Sequence, residues 1–238
     1  ELFKAEETGL SAVTNADRTG DAHAEMIAHN CLSDVYFLRE DFEAMRFHGE
    51  RSLEIVQRIG AKRYEFNGML TRARYQYYHD NDEAAALETS RDTYQISMAT
   101  KPGFSGAWVV GRLAMVADTP EERDWALREG ERLLEDGAHA HNHFYFRVDA
   151  MQVCLREKDW DGVLKHAAAF ESFVGDEPTA WSDFFIRRGR VLTAFGQGSR
   201  DIETIAELKY LNSIAVTKGL KWSLRGIDAA LVAGGGKS

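Results

Sequence analysis

The sequence is poor in residues that interrupt helices and in patterns that form strands. Only three of its 238 residues are proline. Pro102, Pro120 and Pro178 lie where the apolar periodicity breaks, which is typical of prolines that mark helix boundaries. Nowhere do β-branched and polar residues alternate over six positions between turn residues, so no strand is predicted. These shortages predict an all-α protein.

Other shortages exclude further classes of protein. Cys31 and Cys154, the two cysteines, lie in apolar helical stretches and are expected to be buried thiols in a reducing, cytoplasmic compartment. No apolar run approaches the roughly 20 residues that span a bilayer, so no membrane segment is expected. The net charge of −9 repels phosphates, and no nucleic-acid partner is expected.

The two ends are predicted to lie outside the main domain. Residue 1 is glutamate and no charged-then-apolar leader follows, so the chain is expected to be an excised or processed segment. Residues 1–19 are predicted to be the end of a preceding helix or a linker. Residues 231–238 are predicted to be a flexible tail because three consecutive glycines precede the final Lys-Ser.

Charged residues that separate two amphipathic segments recur about every forty residues between these ends. These landmarks are separated by steps of 41, 40, 37 and 41 residues and are Asp41, Asp82, Glu122, Asp159 and Arg200. At each landmark one amphipathic segment ends and another begins. A helix, a short turn and a second helix cannot bury their apolar faces alone, so such units stack. The sequence therefore predicts, over residues 20–230, a right-handed α-solenoid of about five helix-turn-helix repeats.

The form of this repeat resembles the longer version of the tetratricopeptide class. Gly20-Asp21 opens the first unit, Asp41-Phe42 stands at its turn, and the segment 52–55 lies late in its second helix. The resemblance implies tetratricopeptide-like repeats and a role in protein binding.

Residues 103–196 resemble more specifically the carboxy-terminal helical region of bacterial proteins that join a class III adenylate/guanylate cyclase to a STAND-type AAA ATPase. The matching stretches are GAWVVG (106–111), ALREGERLL (126–134), HNHFYFRVDA (141–150), DWD (159–161), AAAFE (167–171) and WSDFFIRRGR (181–190). In such proteins the cyclase and ATPase lie upstream, and neither is present in this sequence. The resemblance therefore implies a noncatalytic regulatory scaffold in signal transduction.

Arginine and aromatic residues recur on the predicted first helices of the units. They are Arg72, Tyr75, Trp108, Arg112, Phe146, Arg147, Phe184, Arg187 and Arg188. First helices line the inner surface of this kind of superhelix, so these residues are predicted to form a groove for an acidic, extended or helical protein segment. The alternative is that the aromatics are core residues and the arginines pair with neighbouring Asp and Glu.

A histidine-rich stretch follows Gly137. Its histidines are His139, His141 and His143. An i, i+4 pair on one helix can share a metal ion, but Gly137 closes the preceding helix, so His139 is expected in the turn. Asn142 is expected to cap the next helix. No metal site, cofactor or catalytic residue is predicted.

The favoured function is a noncatalytic interaction scaffold that binds a protein segment or other domains of its own full-length chain. A second copy of the chain, forming a homodimer, is a further expected partner. Apolar residues expected to form either a capping helix or a dimer contact are Ile214, Val216, Leu220, Trp222 and Leu224. The alternative is a small-molecule sensor whose inner surface near Trp108, Phe146 and Phe184 holds a ligand that changes the curvature. A closed apolar pocket with a few convergent polar groups, rather than an open groove, would favour the sensor.

Overall fold

A computed structural model describes residues 2–235, and within that range every long element is an α-helix. The twelve helices are α1 (Leu2–Thr19), α2 (Ala22–Leu38), α3 (Phe42–Ile59), α4 (Glu65–Tyr75), α5 (Glu83–Thr100), α6 (Pro102–Val116), α7 (Pro120–Glu135), α8 (Ala140–Glu157), α9 (Trp160–Val174), α10 (Ala180–Gly196), α11 (Ile202–Lys218) and α12 (Lys221–Gly235). A 3₁₀ turn, Lys62–Tyr64, precedes α4, and a π-helical turn, Gln76–Asp80, follows it. The all-α prediction is confirmed.

The charged residues that recur about every forty positions lie at the starts of alternate helices. The side chains of Asp41, Asp82 and Asp159 each accept a hydrogen bond from the backbone N–H three residues later and so cap α3, α5 and α9. Thr119 and Asp201 cap α7 and α11 in the same way. The spacing of about forty residues is therefore the spacing of capped second helices, each preceded by a first helix.

The ends of the chain differ from their prediction. Helix α12 continues through Gly235, so the prediction of a flexible tail is wrong for residues 231–235; residues 236–238 lie outside the described range. Residues 2–19 form α1, which packs against α2. Leu220 and Trp222 are buried, whereas Val216 on α11 is exposed.

Both cysteines are free thiols, but only one is buried. Cys154 is buried as predicted, whereas Cys31 is exposed, so the prediction for Cys31 is wrong. Within residues 2–235, none of the helices combines the length and the apolarity that a bilayer crossing requires.

The helices pack consecutively, and the first helices of the pairs also contact one another. Helices α2, α4, α6, α8, α10 and α12 are in contact in that order, and α12 contacts α2 again. These six first helices form a ring. Its closure joins residues far apart in sequence: Arg225 Nε donates to Glu40 Oε1 over 2.7 Å, and the rings of Phe37 and Trp222 lie 5.3 Å apart. Each second helix from α3 to α11 packs between the first helices on either side of it in sequence.

Close packing between α7 and α8 depends on a glycine. The ring of Phe146 is fully buried and lies against Gly130 on α7. A Cβ atom at position 130 would approach Phe146 Cε2 to 2.0 Å, which is far inside van der Waals contact. Gly130 is therefore required by its neighbour, because its position in the middle of a helix would otherwise favour alanine.

We expect Gly130→Ala to lower the free energy of unfolding by about 2 kcal/mol, since an overpacked core must displace a buried ring. Urea denaturation followed by circular dichroism measures this. Gly103→Ala is the matched control, because a Cβ built at position 103 meets no atom of the surrounding structure within 4 Å. Equal stability of the two variants would contradict this account of the α7–α8 contact.

A second buried contact joins two histidines on α2 and α3. The Nδ1 atoms of His29 and His48 lie 2.7 Å apart, and both side chains are buried. One Nδ1 must donate and the other accept, so protonating the acceptor removes the bond. Burial, together with the neighbouring imidazole, lowers the pKa of His48 to about 4. Burial also lowers the pKa of His29.

Because these pKa values are lowered in the folded chain, the pair stabilises the fold above the ordinary histidine pKa of 6.5, and this stability is lost as the pH falls towards about 4. We expect His48→Gln to reduce the loss between these pH values by about 2–3 kcal/mol in urea denaturation. His23→Gln, at an exposed position, is the control. Parallel pH profiles for His48→Gln and the wild type would show that the pair does not titrate in this way.

Candidate functional site: a cavity inside the ring of first helices

The six first helices surround a cavity of about 400 Å³. Each of the six contributes at least one side chain to its wall. The apolar and aromatic part of the wall consists of Phe37, Leu38, Phe144, Tyr145, Val148, Trp181 and Trp222, and the polar part consists of Asp34, Arg74, Arg112 and His141. A volume of about 300–1,000 Å³, mostly apolar walls and a few convergent polar groups are typical of small-molecule sites.

Four charged side chains meet beside this cavity, one from each of the helices α2, α4, α6 and α8. Arg74 Nη1 donates to Asp34 Oδ1 over 2.6 Å. Arg112 Nη1 lies 2.8 Å from Asp149 Oδ1. Tyr145 Oη donates to the second oxygen of Asp34 over 3.2 Å, and that carboxylate raises the pKa of Tyr145, so the phenol stays protonated. The two positive and two negative charges balance one another.

The pairing of these groups leaves some of their hydrogen-bonding capacity unused. Arg112 and Asp149 form a close ion pair without hydrogen-bond geometry, and both Asp149 oxygens lack a hydrogen-bond partner among the described residues. The Nε atoms of Arg74 and Arg112 also lack one. Buried polar atoms are normally satisfied. Of the residues with unpaired atoms in this cluster, Arg74 and Arg112 line the cavity and Asp149 lies behind its wall.

Burial shifts the ionisation of the same cluster. Asp149 is completely buried, which raises its pKa to about 6, although the nearby Arg112 and Arg74 act in the opposite direction. Burial, and then the charge of Arg74, lower the pKa of Arg112. Both guanidinium groups lie over the ring of Phe37, at 4.5 Å for Arg74 and 5.5 Å for Arg112. The charges are therefore held against an aromatic wall rather than in water.

Asn142 fixes the position of α8, which carries much of the cavity wall. Its Oδ1 accepts from the Trp108 N–H over 3.0 Å, and its Nδ2 donates to the carbonyl oxygens of Phe104 over 3.0 Å and His139 over 3.1 Å. His139 occupies the N-cap position of α8, so the prediction that Asn142 caps this helix is wrong. Asn142 instead ties the first turn of α8 to the backbone of α6.

The three histidines of this stretch face different neighbours. The ring of His139 contacts Phe104 edge to face, and that of His143 stacks on Phe173 at 3.8 Å. His141 lines the cavity, its Nε2 lies 2.6 Å from the Phe104 carbonyl oxygen, and burial lowers its pKa. In the part of the chain that the structure describes, no three His, Cys, Asp or Glu side chains are grouped as metal ligands.

The residues predicted to form one groove are not brought together. Arg112 lines the central cavity. Trp108 is buried behind the wall and stacks on Tyr145 at 3.8 Å, while Phe146 and Phe184 lie in the core. The prediction of a single groove is therefore wrong for the aromatic residues, because their rings fill the space between helices.

The other predicted groove residues point in several directions. Arg147 donates to Glu131 on α7, and Arg187 donates to Glu207 on α11 over 2.7 and 2.8 Å. Arg72 and Tyr75 line a separate cleft between α3 and α4. Arg188 lines a second cavity. Of the nine, Arg112 is the residue that reaches the wall of the central cavity.

The charged residues that sequence reasoning missed are Asp34, Arg74 and Asp149. Each lies on a first helix that carries other charged residues as well, such as Glu25 on α2, Arg72 on α4 and Arg147 on α8. The sequence therefore carries no clear signal for them, since a buried charge is recognised by its partner on another helix.

Fold and site together define an all-helical chain whose first helices surround an apolar cavity with a balanced charged cluster. No protein-family model, curated protein or solved structure matches the chain. The likeness to cyclase-linked helical regions therefore rests on the sequence motifs alone.

The buried pair of Arg112 and Asp149 has a measurable consequence. We expect Arg112→Met to lower the free energy of unfolding by about 3 kcal/mol, because it leaves the Asp149 carboxyl buried without its cation. Adding Asp149→Leu should recover part of that loss, and urea denaturation of the single and double variants measures the coupling.

Arg187→Met is the matched control for this pair. Arg187 is one-third exposed and pairs with Glu207 near the surface, so its loss should cost less than about 1 kcal/mol. Strictly additive losses for the two cavity substitutions would disprove the coupling between Arg112 and Asp149.

Proposed function

We propose that this chain is a noncatalytic sensor module that binds a small molecule in the ring of first helices. The observation that supports this proposal best is the cavity itself, with walls supplied by all six first helices and polar groups converging from four of them. A ligand there would replace water against Phe144, Val148 and Trp181, and apolar burial would supply most of its binding free energy.

The proposed ligand is neutral and largely apolar, with one hydroxyl or amide group. Its neutrality follows from the charge balance, because Arg74 and Arg112 already have Asp34 and Asp149 as partners. Its polar group would use the arginine side chains that line the cavity, Arg74 and Arg112, whose Nε groups have no hydrogen-bond partner among the described residues. A charged ligand in this cavity would disturb ion pairs that are already desolvated.

Ligand binding would act on the closure of the ring. The cavity is lined both by Phe37 on α2 and by Trp222 on α12, so an occupant contacts at once the two helices whose meeting closes the ring. A molecule that binds the closed ring more tightly than an opened one shifts the population towards closure. In this proposal the helix pairs are about five tetratricopeptide-like repeats of a right-handed superhelix, whose curvature reports occupancy.

The wider context that we propose is a regulatory region of a cyclase–ATPase signalling protein. The motifs between residues 103 and 196 support it. Closure of the ring would then change how this region docks on the other domains of its own full-length chain. A protein segment inserting a side chain into the cavity is the competing occupant, and the experiment below separates the two.

N-phenyl-1-naphthylamine, a neutral aromatic fluorophore with one N–H group, is a suitable probe. We expect a saturable rise in its fluorescence with one probe bound per chain. Val148→Trp fills the cavity and should weaken binding at least about tenfold, equivalent to about 1.4 kcal/mol. Val216→Trp is the matched control because Val216 is exposed on α11. Circular dichroism checks that each variant is folded.

Trp181→Ala supplies a second test, since it removes part of the wall without filling the cavity. It should also weaken binding, whereas the anionic analogue 1-anilinonaphthalene-8-sulfonate should bind less well than the neutral probe. Absence of saturable binding, or binding that is unchanged in both cavity variants, would overturn the proposal. Displacement of the probe by acidic peptides but by no small apolar molecule would favour a protein segment as the occupant.

A further inference from the structure

Four arginines are buried in the described part of the chain, and one of them differs from the rest. Three have a carboxylate within ion-pair distance: the pairs are Arg74 with Asp34, Arg112 with Asp149, and Arg147 with Glu131. Arg188 is only 4% exposed, and none of the ion pairs within residues 2–235 includes it. A buried cation without a counter-charge is costly to the fold.

The contacts of Arg188 with the protein are all to neutral groups. Its Nε donates to the Ser223 carbonyl oxygen over 2.9 Å, and one Nη donates to Gln152 Oε1 over 3.1 Å. The second Nη makes no hydrogen bond within the described residues and lies 3.2 Å from the place where a Cβ at Gly226 would stand. Burial lowers the pKa of Arg188 to about 10, with no acidic neighbour raising it. Two nitrogens of the guanidinium therefore hold it in position, and the third makes no hydrogen bond to the described residues.

Arg188 lines a second cavity of about 320 Å³, which we call the arginine cavity. It lies along the later part of α8 and is bounded also by α10, α12 and the π-helical turn after α4. Arg156 and Arg225 line it as well, and Glu83 is its one acidic lining residue. Trp222 is shared with the central cavity. Three guanidinium groups and one carboxylate line this cavity, so its wall is rich in cationic hydrogen-bond donors.

The two outer arginines are only partly paired. Arg225 donates through Nε to Glu40, and Arg156 donates to Glu157 and to the Met115 carbonyl oxygen. Each keeps at least one Nη group that makes no hydrogen bond within the described residues, and both side chains reach solvent. Guanidinium groups bind phosphate oxygens through paired, charge-assisted hydrogen bonds.

We propose that the arginine cavity binds the phosphate group of a small phosphate monoester, with Arg188 at its base and Arg156 and Arg225 at its mouth. The unused Nη groups of the three arginines are donors for the phosphate oxygens, and Arg188 has no carboxylate partner that the phosphate would have to displace. The volume exceeds that of a phosphate group, and Tyr77, Tyr78 and Trp222 supply aromatic surface for the organic part. This site shares Trp222 with the wall of the central cavity but has its own charged groups, and it does not depend on the proposed central ligand.

Phenyl phosphate is the probe, titrated by calorimetry at constant ionic strength. We expect saturable binding, weaker binding of benzoate, which carries one charge, and none of benzyl alcohol. Arg188→Gln should weaken phenyl phosphate binding by about tenfold or more, the usual effect of losing a hydrogen bond to a charged group. Arg188→Lys should retain part of the affinity, because lysine keeps the positive charge but lacks the paired N–H donors of the guanidinium.

Two further variants decide the question if Arg188→Gln does not fold. Arg225→Gln, at a side chain that is 58% exposed, should weaken phenyl phosphate binding, and Glu83→Gln should strengthen it. Val148→Trp, which blocks the central cavity, should leave phenyl phosphate binding unchanged and so separates this proposal from the first. No saturable binding of phenyl phosphate, or equal affinity in the wild type, Arg225→Gln and Glu83→Gln, would overturn the assignment.

Discussion

The contact between the first and last of the six first helices is the constraint on which the rest of the structure depends. Consecutive packing alone would leave an open array with one face in solvent. The meeting of Phe37 and Trp222 instead turns the first-helix faces towards a common interior. Charges on α2 and α4, and on α6 and α8, can then pair between neighbouring first helices at that interior. The central cavity and the arginine cavity lie where the side chains do not fill it.

Much of the helical organisation could be predicted from the sequence because it is encoded locally. Asp41, Asp82 and Asp159 each cap a second helix through a backbone N–H three residues away, so their spacing gave the period directly. The prediction of a tail from residue 231 failed because glycines weaken a helix that has no packing partner. Gly234 instead packs against Ile205 and Phe195 on neighbouring helices.

The candidate site was less predictable because it depends on which helices meet. Arg112 and Arg147 look alike in sequence, each in the middle of a first helix. Arg112 nevertheless pairs with Asp149 on the neighbouring first helix, whereas Arg147 pairs with Glu131 on α7. The rotation of each helix about its own axis decides between these outcomes, and local periodicity does not fix that rotation. Arg188 was placed on the inner face, but its missing counter-charge is visible only in three dimensions.

The hydrogen bond between Arg225 and Glu40 joins residues 185 positions apart. Contacts of such long range form late, since the loop entropy must be overcome before they contribute. During synthesis the amino-terminal helix pairs can stack while the ribosome is still adding residues, but neither cavity is complete until α12 has emerged. Both cavities thus depend on α12 being in place, and fraying of this one helix would open them while the preceding pairs stay stacked.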